Sequence, residues 1–200
     1  MLNMQDGDGD TFLHIAVAKG RRALVYVLAT KMARCGSLDM KEHNGQTALQ
    51  IATATNQHLI VRDLLEHGAQ INTRDLWGRS PLHVCAEKGH FLSLQDLKSG
   101  RTCLHMASEE ANMELFNLFL DQSSSLSFIN VKTFSGNTAL HIVSSLQNHK
   151  TQVEAVKLLM RNGADPSTRN FENELPCHLV TDGPVGDKVR HVLKGKYVHA

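Results

Sequence analysis

Polar and apolar positions follow one another along this chain in an order that keeps returning. Thr11-Phe12-Leu13-His14-Ile15-Ala16 recurs as Thr47-Ala48-Leu49-Gln50-Ile51-Ala52 and as Ser80-Pro81-Leu82-His83-Val84-Cys85-Ala86. It comes again as Thr102-Cys103-Leu104-His105-Met106-Ala107 and Thr138-Ala139-Leu140-His141-Ile142, with a degraded sixth copy at Glu174-Leu175-Pro176-Cys177-His178-Leu179. The copies start at 11, 47, 80, 102, 138 and 174, so the spacings are 36, 33, 22, 36 and 36. The leading Thr or Ser predicts a helix start, where its hydroxyl can accept from an otherwise unpaired backbone N–H. The Leu and Ala that follow fall on one inward face. Gly9, Gly45, Gly78, Gly100 and Gly136 each stand two residues before the helix start, which predicts a turn at positive φ.

A second apolar stripe follows most of these short helices. Leu59, Ile60, Val61, Leu64 and Leu65 form one; Leu115, Leu118, Phe119 and Leu120 form another; Val153, Val156, Leu158 and Leu159 form a third. Gly68 and Gly163 suit the left-handed residue that ends such a helix. A helix pair with this opening motif, recurring about every 33 residues, is the signature of ankyrin repeats. The predicted fold is therefore all-α: an ankyrin-repeat solenoid with short β-turn fingers, such as the one leading through Arg74, Asp75 and Trp77. One repeat cannot bury its own faces, so neighbours must stack. Residues 1–95 are read as repeats 1–3, the third truncated, and 96–200 as repeats 4–6 with a short basic tail. Two irregularities stand out. Gln147-Asn148-His149-Lys150 lengthens the fifth copy between its helices, and the 22-residue spacing removes roughly one helix and one finger, predicting a shortened helix or kinked junction over 91–101.

Composition narrows the picture. Apolar residues make up 42% of the chain, enough for a core, while aromatics are only 5%. Lys and Arg (21) nearly balance Asp and Glu (20), so the chain lacks the field that drives direct nucleic-acid binding. There is no apolar run of membrane-spanning length, and the N-terminal residues do not have the layout of a signal peptide. Cys35, Cys85, Cys103 and Cys177 stand far apart with no Cys-x-x-Cys pair, and they read as reduced thiols of a cytosolic or nuclear protein.

No cofactor or metal site emerges. His14, His83, His105, His141 and His178 recur with the repeat, so they stand in a row instead of converging on one ion; they read as structural residues bonding backbone in their own turns. Cys177 and His178 are adjacent on a helix and point apart, and no oxyanion hole, phosphate loop or paired-carboxylate site accompanies them. The chain is read as a binding module and not an enzyme. Trp77, beside a finger glycine, is either an interface anchor or a ring lying on the next finger. Phe134 and Phe171 occupy the corresponding finger region. The finger charges Lys41, Glu42, Arg74, Asp75, Arg79, Lys132 and Arg169 could steer a partner or simply be solvated. Ser123-Ser124-Ser125 is a polar stretch between helices.

Several stretches go beyond the repeat consensus: Lys41-Glu42-His43-Asn44-Gly45-Gln46, Asn56 to Val61, Trp77 to His90, Gly163 to Asn170, and Asp182-Gly183-Pro184-Val185-Gly186. On these the chain, from Asp8 to about Lys196, resembles the inhibitors of NF-κB, and within them the atypical nuclear branch. The resemblance implies binding to Rel-homology dimers, especially of the subunit without an activation domain. It also implies a nuclear location, regulation of inflammatory genes, and contact with DNA only through that dimer. Family members of this type carry seven repeats; the short spacing after Gln95 reads as loss of the whole fourth repeat and half of the third. The long N-terminal regulatory region of that branch is not in the sequence. Cytoplasmic members carry an Asp-Ser-Gly degron and an acidic tail, whereas this chain has no Asp-Ser-Gly and ends on Lys188, Arg190, Lys194 and Lys196. A cytoplasmic-type inhibitor and a generic ankyrin adaptor are the alternative readings.

Overall fold

The computed structural model describes residues 2–90, 99–121 and 128–195; the expected junction is almost wholly outside these, as are Ser123–Ser125 and Lys196. The chain divides into two compact units, Met1–Asp96 and Leu97–Ala200. The first holds α1 (Phe12–Ala18), α2 (Arg22–Arg34), α3 (Ala48–Ala54), α4 (His58–Glu66) and α5 (Pro81–Lys88). The second holds α6 (Cys103–Glu109), α7 (Met113–Leu120), α8 (Ala139–Ser144), α9 (Gln152–Arg161), a 3-10 turn (Pro176–His178) and α10 (Pro184–Leu193). The described residues are helical with finger turns and contain no strand.

In the first unit α3 packs between α1 and α5, and α4 lies on α2. In the second, α8 packs against α6 and α9, and α10 closes on α9. The inward Leu and Ala of each motif are the core: Leu13, Ala16, Leu49, Ala52, Leu104, Ala107 and Leu140 are all buried. The hydroxyls of Thr11, Thr47 and Ser80 accept from the amides three residues on, at 3.3–3.4 Å. The five finger glycines all have positive φ, from 69° to 81°.

The histidine of the motif does more than hold its own turn. His141 accepts from the Thr138 amide at Nδ1 (3.2 Å) and reaches the Glu174 carbonyl of the next finger with Nε2 (3.2 Å). His14 does the same between Thr11 and Gln46, and His105 between Thr102 and Val131. Gln50 replaces the imidazole in the second repeat: its Oε1 accepts from the Thr47 amide and its Nε2 donates to the Arg79 carbonyl at 2.7 Å. Each staple thus fixes a helix start and the following finger together.

Burial holds His105 and His141 below the ordinary imidazole value of 6.5. The unfolded chain takes up these protons first, so acid favours unfolding. Stability of the second unit is expected to be full above about pH 6.5 and to fall as pH drops below it, readable as a lower urea midpoint at about pH 5.5 than at about pH 7.5.

Two features lie beyond the sequence pattern. Arg22 on α2 makes a two-point ion pair with the buried Asp63 on α4 (2.7 and 2.9 Å), tying the first repeat to the second. The segment from Lys188, read from sequence as the start of a basic tail, is instead the second half of α10 as far as Leu193. Val189, Val192 and Leu193 are buried, and this helical spacing was masked by the charges between them. Arg190 bonds the Val180 carbonyl and Asp182, both at 2.8 Å, and anchors that helix.

Candidate partner-binding surface

Five of the fingers are each built on one polar side chain placed three residues before the glycine, or before Asn173 in the last. Asp75 Oδ1 accepts from the amides of Trp77 (3.0 Å) and Arg79 (2.8 Å). Glu42 accepts from the amides of Asn44 and Gln46, both at 2.9 Å. Asp6 does so in the first finger and Asn170 in the last, while Thr133 accepts from the Asn137 amide at 3.2 Å. Asp75 is buried, and its second oxygen takes the Arg79 guanidinium at 3.0 Å. Glu42 and Asp75 therefore hold finger backbone, and Asp75 is turned away from solvent.

Consecutive fingers are laced within each unit. The Leu76 amide donates to the Asn44 carbonyl (3.0 Å), and the Phe171 amide to that of Ser135 (3.1 Å). A second lace uses predicted site residues, once in each unit. Lys41 donates to the Arg74 carbonyl at 2.6 Å, and Lys132 to the Arg169 carbonyl at 2.9 Å. Arg74 and Arg169 in turn each cap their own finger, on the carbonyls of Gly78 and Asn173, both at 2.7 Å. All four cations stay exposed, so the lace fixes a basic edge beside the finger tips.

The aromatic tips differ. Phe134 lies on Gly100 and Phe171 on Gly136, so closely that a Cβ at either glycine would meet the ring at 3.0 Å or less. At Gly136 the same Cβ would stand 2.7 Å from the Phe171 amide nitrogen, at φ +81°. Gly136→Ala is therefore expected to cost about 2 kcal/mol in urea unfolding, whereas Ala at Gly7, where nothing lies within 4 Å, should cost little. Trp77 stands one position further along its finger than Phe134 and Phe171; Leu76 is their counterpart. Its ring faces the Arg79 guanidinium at 5.2 Å, and Arg79 is held by Asp75 and Glu87. Lys132 stands 6.0 Å from the Phe171 ring centre. Leu76, Trp77, Phe134 and Phe171 are 60–72% exposed, unusually high for large apolar side chains.

The ten predicted residues, joined by Leu76, thus fall into two sets. Lys41, Arg74, Leu76, Trp77 and Arg79 form an apolar-tipped basic edge on the first unit, braced by Glu42 and Asp75. Lys132, Phe134, Arg169 and Phe171 form one on the second. The composition alone passed over Leu76, which needed the finger register to be found.

Comparison with known proteins places this architecture. The model described as "Ankyrin repeats (3 copies)" matches residues 13–97 and 90–170. NF-kappa-B inhibitor zeta of Mus musculus is 48% identical over 272 residues, covering 97% of this chain and 37% of that protein, and zeta of Homo sapiens is 48% identical with 97% and 38% covered. NF-kappa-B inhibitor delta of Mus musculus is 33% identical over 259 residues, covering 95% of this chain and 79% of that protein. The chain belongs to the NF-κB inhibitor family. It spans little more than a third of the zeta relatives' length. Their matched stretch is 272 residues long against 97% of a 200-residue chain, so they hold residues with no counterpart here, on the order of two repeats at about 33 residues each.

Proposed function

We propose that this chain binds NF-κB Rel-homology dimers and regulates the transcription of inflammatory genes in the nucleus. The observation that carries the reading is its kinship with NF-κB inhibitor zeta across nearly its whole length. The favoured partner is the dimer of the subunit without its own activation domain, and DNA is engaged only through that dimer. The work is complementarity: fingers braced from inside present exposed tips at little cost in ordering entropy. Lys41, Arg74, Trp77 and Arg79 on the first unit, and Lys132, Phe134, Arg169 and Phe171 on the second, make the contacts. Glu42 and Asp75 support them from within their fingers.

The test is fluorescence anisotropy of a labelled κB-site duplex pre-bound by a Rel homodimer, with this chain titrated in. The expected result is a rise, reporting a ternary complex on DNA. A fall to the free-duplex value would assign the chain to dimer-stripping inhibitors. No change, with the chain shown to be folded by circular dichroism, would overturn the binding claim.

A further inference from the structure

In three fingers the staple from the preceding helix grips the carbonyl one residue past the left-handed position. His14 takes the Gln46 carbonyl after Gly45, and His141 takes the Glu174 carbonyl after Asn173. Gln50 takes the Arg79 carbonyl after Gly78, at 2.7 Å. At this point of the motif the other five copies have His14, His83, His105, His141 and His178, and only the second has an amide. The finger gripped by that amide is the one that carries Trp77, the single tryptophan of the chain.

The grip reaches Trp77 through a short series of bonds. Gln50 is wholly buried, and the Thr47 amide donates to its Oε1 at 3.1 Å, so the nitrogen at the other end of the planar group is aimed. The Arg79 carbonyl that it holds also accepts from the Asp75 amide at 3.0 Å. Asp75 in turn accepts from the amides of Trp77 and Arg79, and its second oxygen pairs with the guanidinium that the indole faces.

An imidazole does this work only as the neutral ring, one nitrogen accepting and the other donating. A proton on Nδ1 sets a donor against the backbone N–H of the helix start and cancels that bond. A primary amide keeps its acceptor and its donor in acid as well. The fingers of Phe134 and Phe171 hang on His105 and His141; the Trp77 finger hangs on a group that does not titrate. The titratable groups of the elements around α3 have partners of their own. Asp75 and Glu87 hold Arg79, Asp63 of α4 holds Arg22, and His14 of α1 holds the Gln46 carbonyl. On α5, His83 lies 3.4 Å from the Arg74 guanidinium, and just past that helix His90 bonds the Thr53 carbonyl.

We propose that Gln50 is the positioning residue of the Trp77 anchor, and that its amide keeps this finger in place over a pH range in which a histidine would release it. What Trp77 touches rests on the Rel-binding reading above; how Trp77 is held does not.

The single tryptophan lets the free, full chain report first, by time-resolved fluorescence anisotropy at about pH 7.5 and about pH 5. The parent should show the same small fast component at both. Gln50→Leu should raise that component at both, with circular dichroism unchanged. Gln50→His should match the parent at the higher pH and depart from it toward Gln50→Leu at the lower one, because the neutral ring holds and the protonated ring does not. Binding to a Rel homodimer on a κB duplex at the higher pH comes second. Gln50→Leu should weaken it about tenfold, Gln50→His by less than about twofold. In a Trp77→Ala background Gln50→Leu should add less than about twofold, since it acts through the indole. An unchanged fast component in Gln50→Leu, or a loss of binding that persists in full without Trp77, would overturn the positioning role. So would a Gln50→His protein that behaves as the parent at both pH values, and that series decides alone if Gln50→Leu does not fold. A parent that binds no Rel dimer, with the anisotropy differences present, would sink the Rel-binding reading and leave the positioning role standing.

Discussion

Replacing His141 with alanine is expected to destabilise the Leu97–Ala200 unit by about 3 kcal/mol. The imidazole is fully buried, and three groups depend on it. The Thr138 amide donates to Nδ1 at 3.2 Å, the Thr138 hydroxyl lies 2.9 Å from the same atom, and Nε2 meets the Glu174 carbonyl at 3.2 Å. Alanine strands a helix-start amide and a finger carbonyl away from water and leaves a void where the ring was, and each of these carries a cost of about 1 kcal/mol or more. The loss should appear as a lower urea midpoint, and hydrogen exchange should show the Thr138 amide losing protection. Two comparisons separate the staple from simple bulk. His141→Gln should recover most of the loss, because Gln50 already performs this task in the second repeat. His178→Ala should cost less than about 1 kcal/mol, since that ring is exposed and accepts from the Leu175 amide at 3.2 Å. A His141→Ala protein as stable as the parent would show that the staple adds nothing to burial.

That staple also marks the boundary between what the chain declares and what it conceals. The helix starts, the positive-φ glycines and the inward Leu and Ala are local features, each set by residues within one turn of one another, and the repeat displays them several times over. The partners one repeat away are not displayed in this manner. Arg22 and Asp63 are 41 positions apart, and neither belongs to the opening motif, so only the packing of α2 on α4 pairs them. Lys41 and Lys132 look like free finger cations until their bonds to the next finger's carbonyls are seen. The brace inside five of the fingers was legible in principle: Asp6, Glu42, Asp75 and Thr133 each stand three residues before a finger glycine, and Asn170 three before Asn173. Such a recurring acceptor announces a backbone role, and it separates Glu42 and Asp75 from the outward charges beside them. In α10 the apolar spacing is short and interrupted by Lys188, Arg190 and His191, so net charge hid a helix.

The finger register gives the sharpest functional prediction, at Trp77. Phe134 and Phe171 each cover a neighbouring glycine, so their removal disturbs a finger as well as any contact. Trp77 sits one position on, 62% exposed, and its ring meets the guanidinium of its own finger's Arg79. That cation is pinned by Asp75 at 3.0 Å and by Glu87 at 3.1 Å, and the Trp77 amide is pinned by Asp75 as well. A large aromatic held this firmly in water loses little freedom when a partner covers it, which is the condition under which an anchor contributes most. Trp77→Ala is therefore expected to weaken retention on a κB duplex carrying a Rel homodimer by about 3 kcal/mol, on the order of a hundredfold in Kd. Urea unfolding should change by less than about 1 kcal/mol, because the indole buries little within the chain. Trp77→Phe should keep part of the affinity, and Glu87→Gln should lose a smaller part by loosening Arg79 alone. Unchanged affinity for Trp77→Ala, with ternary binding intact, would mean that the third finger stands outside the interface and that Phe134 and Phe171 carry the contact.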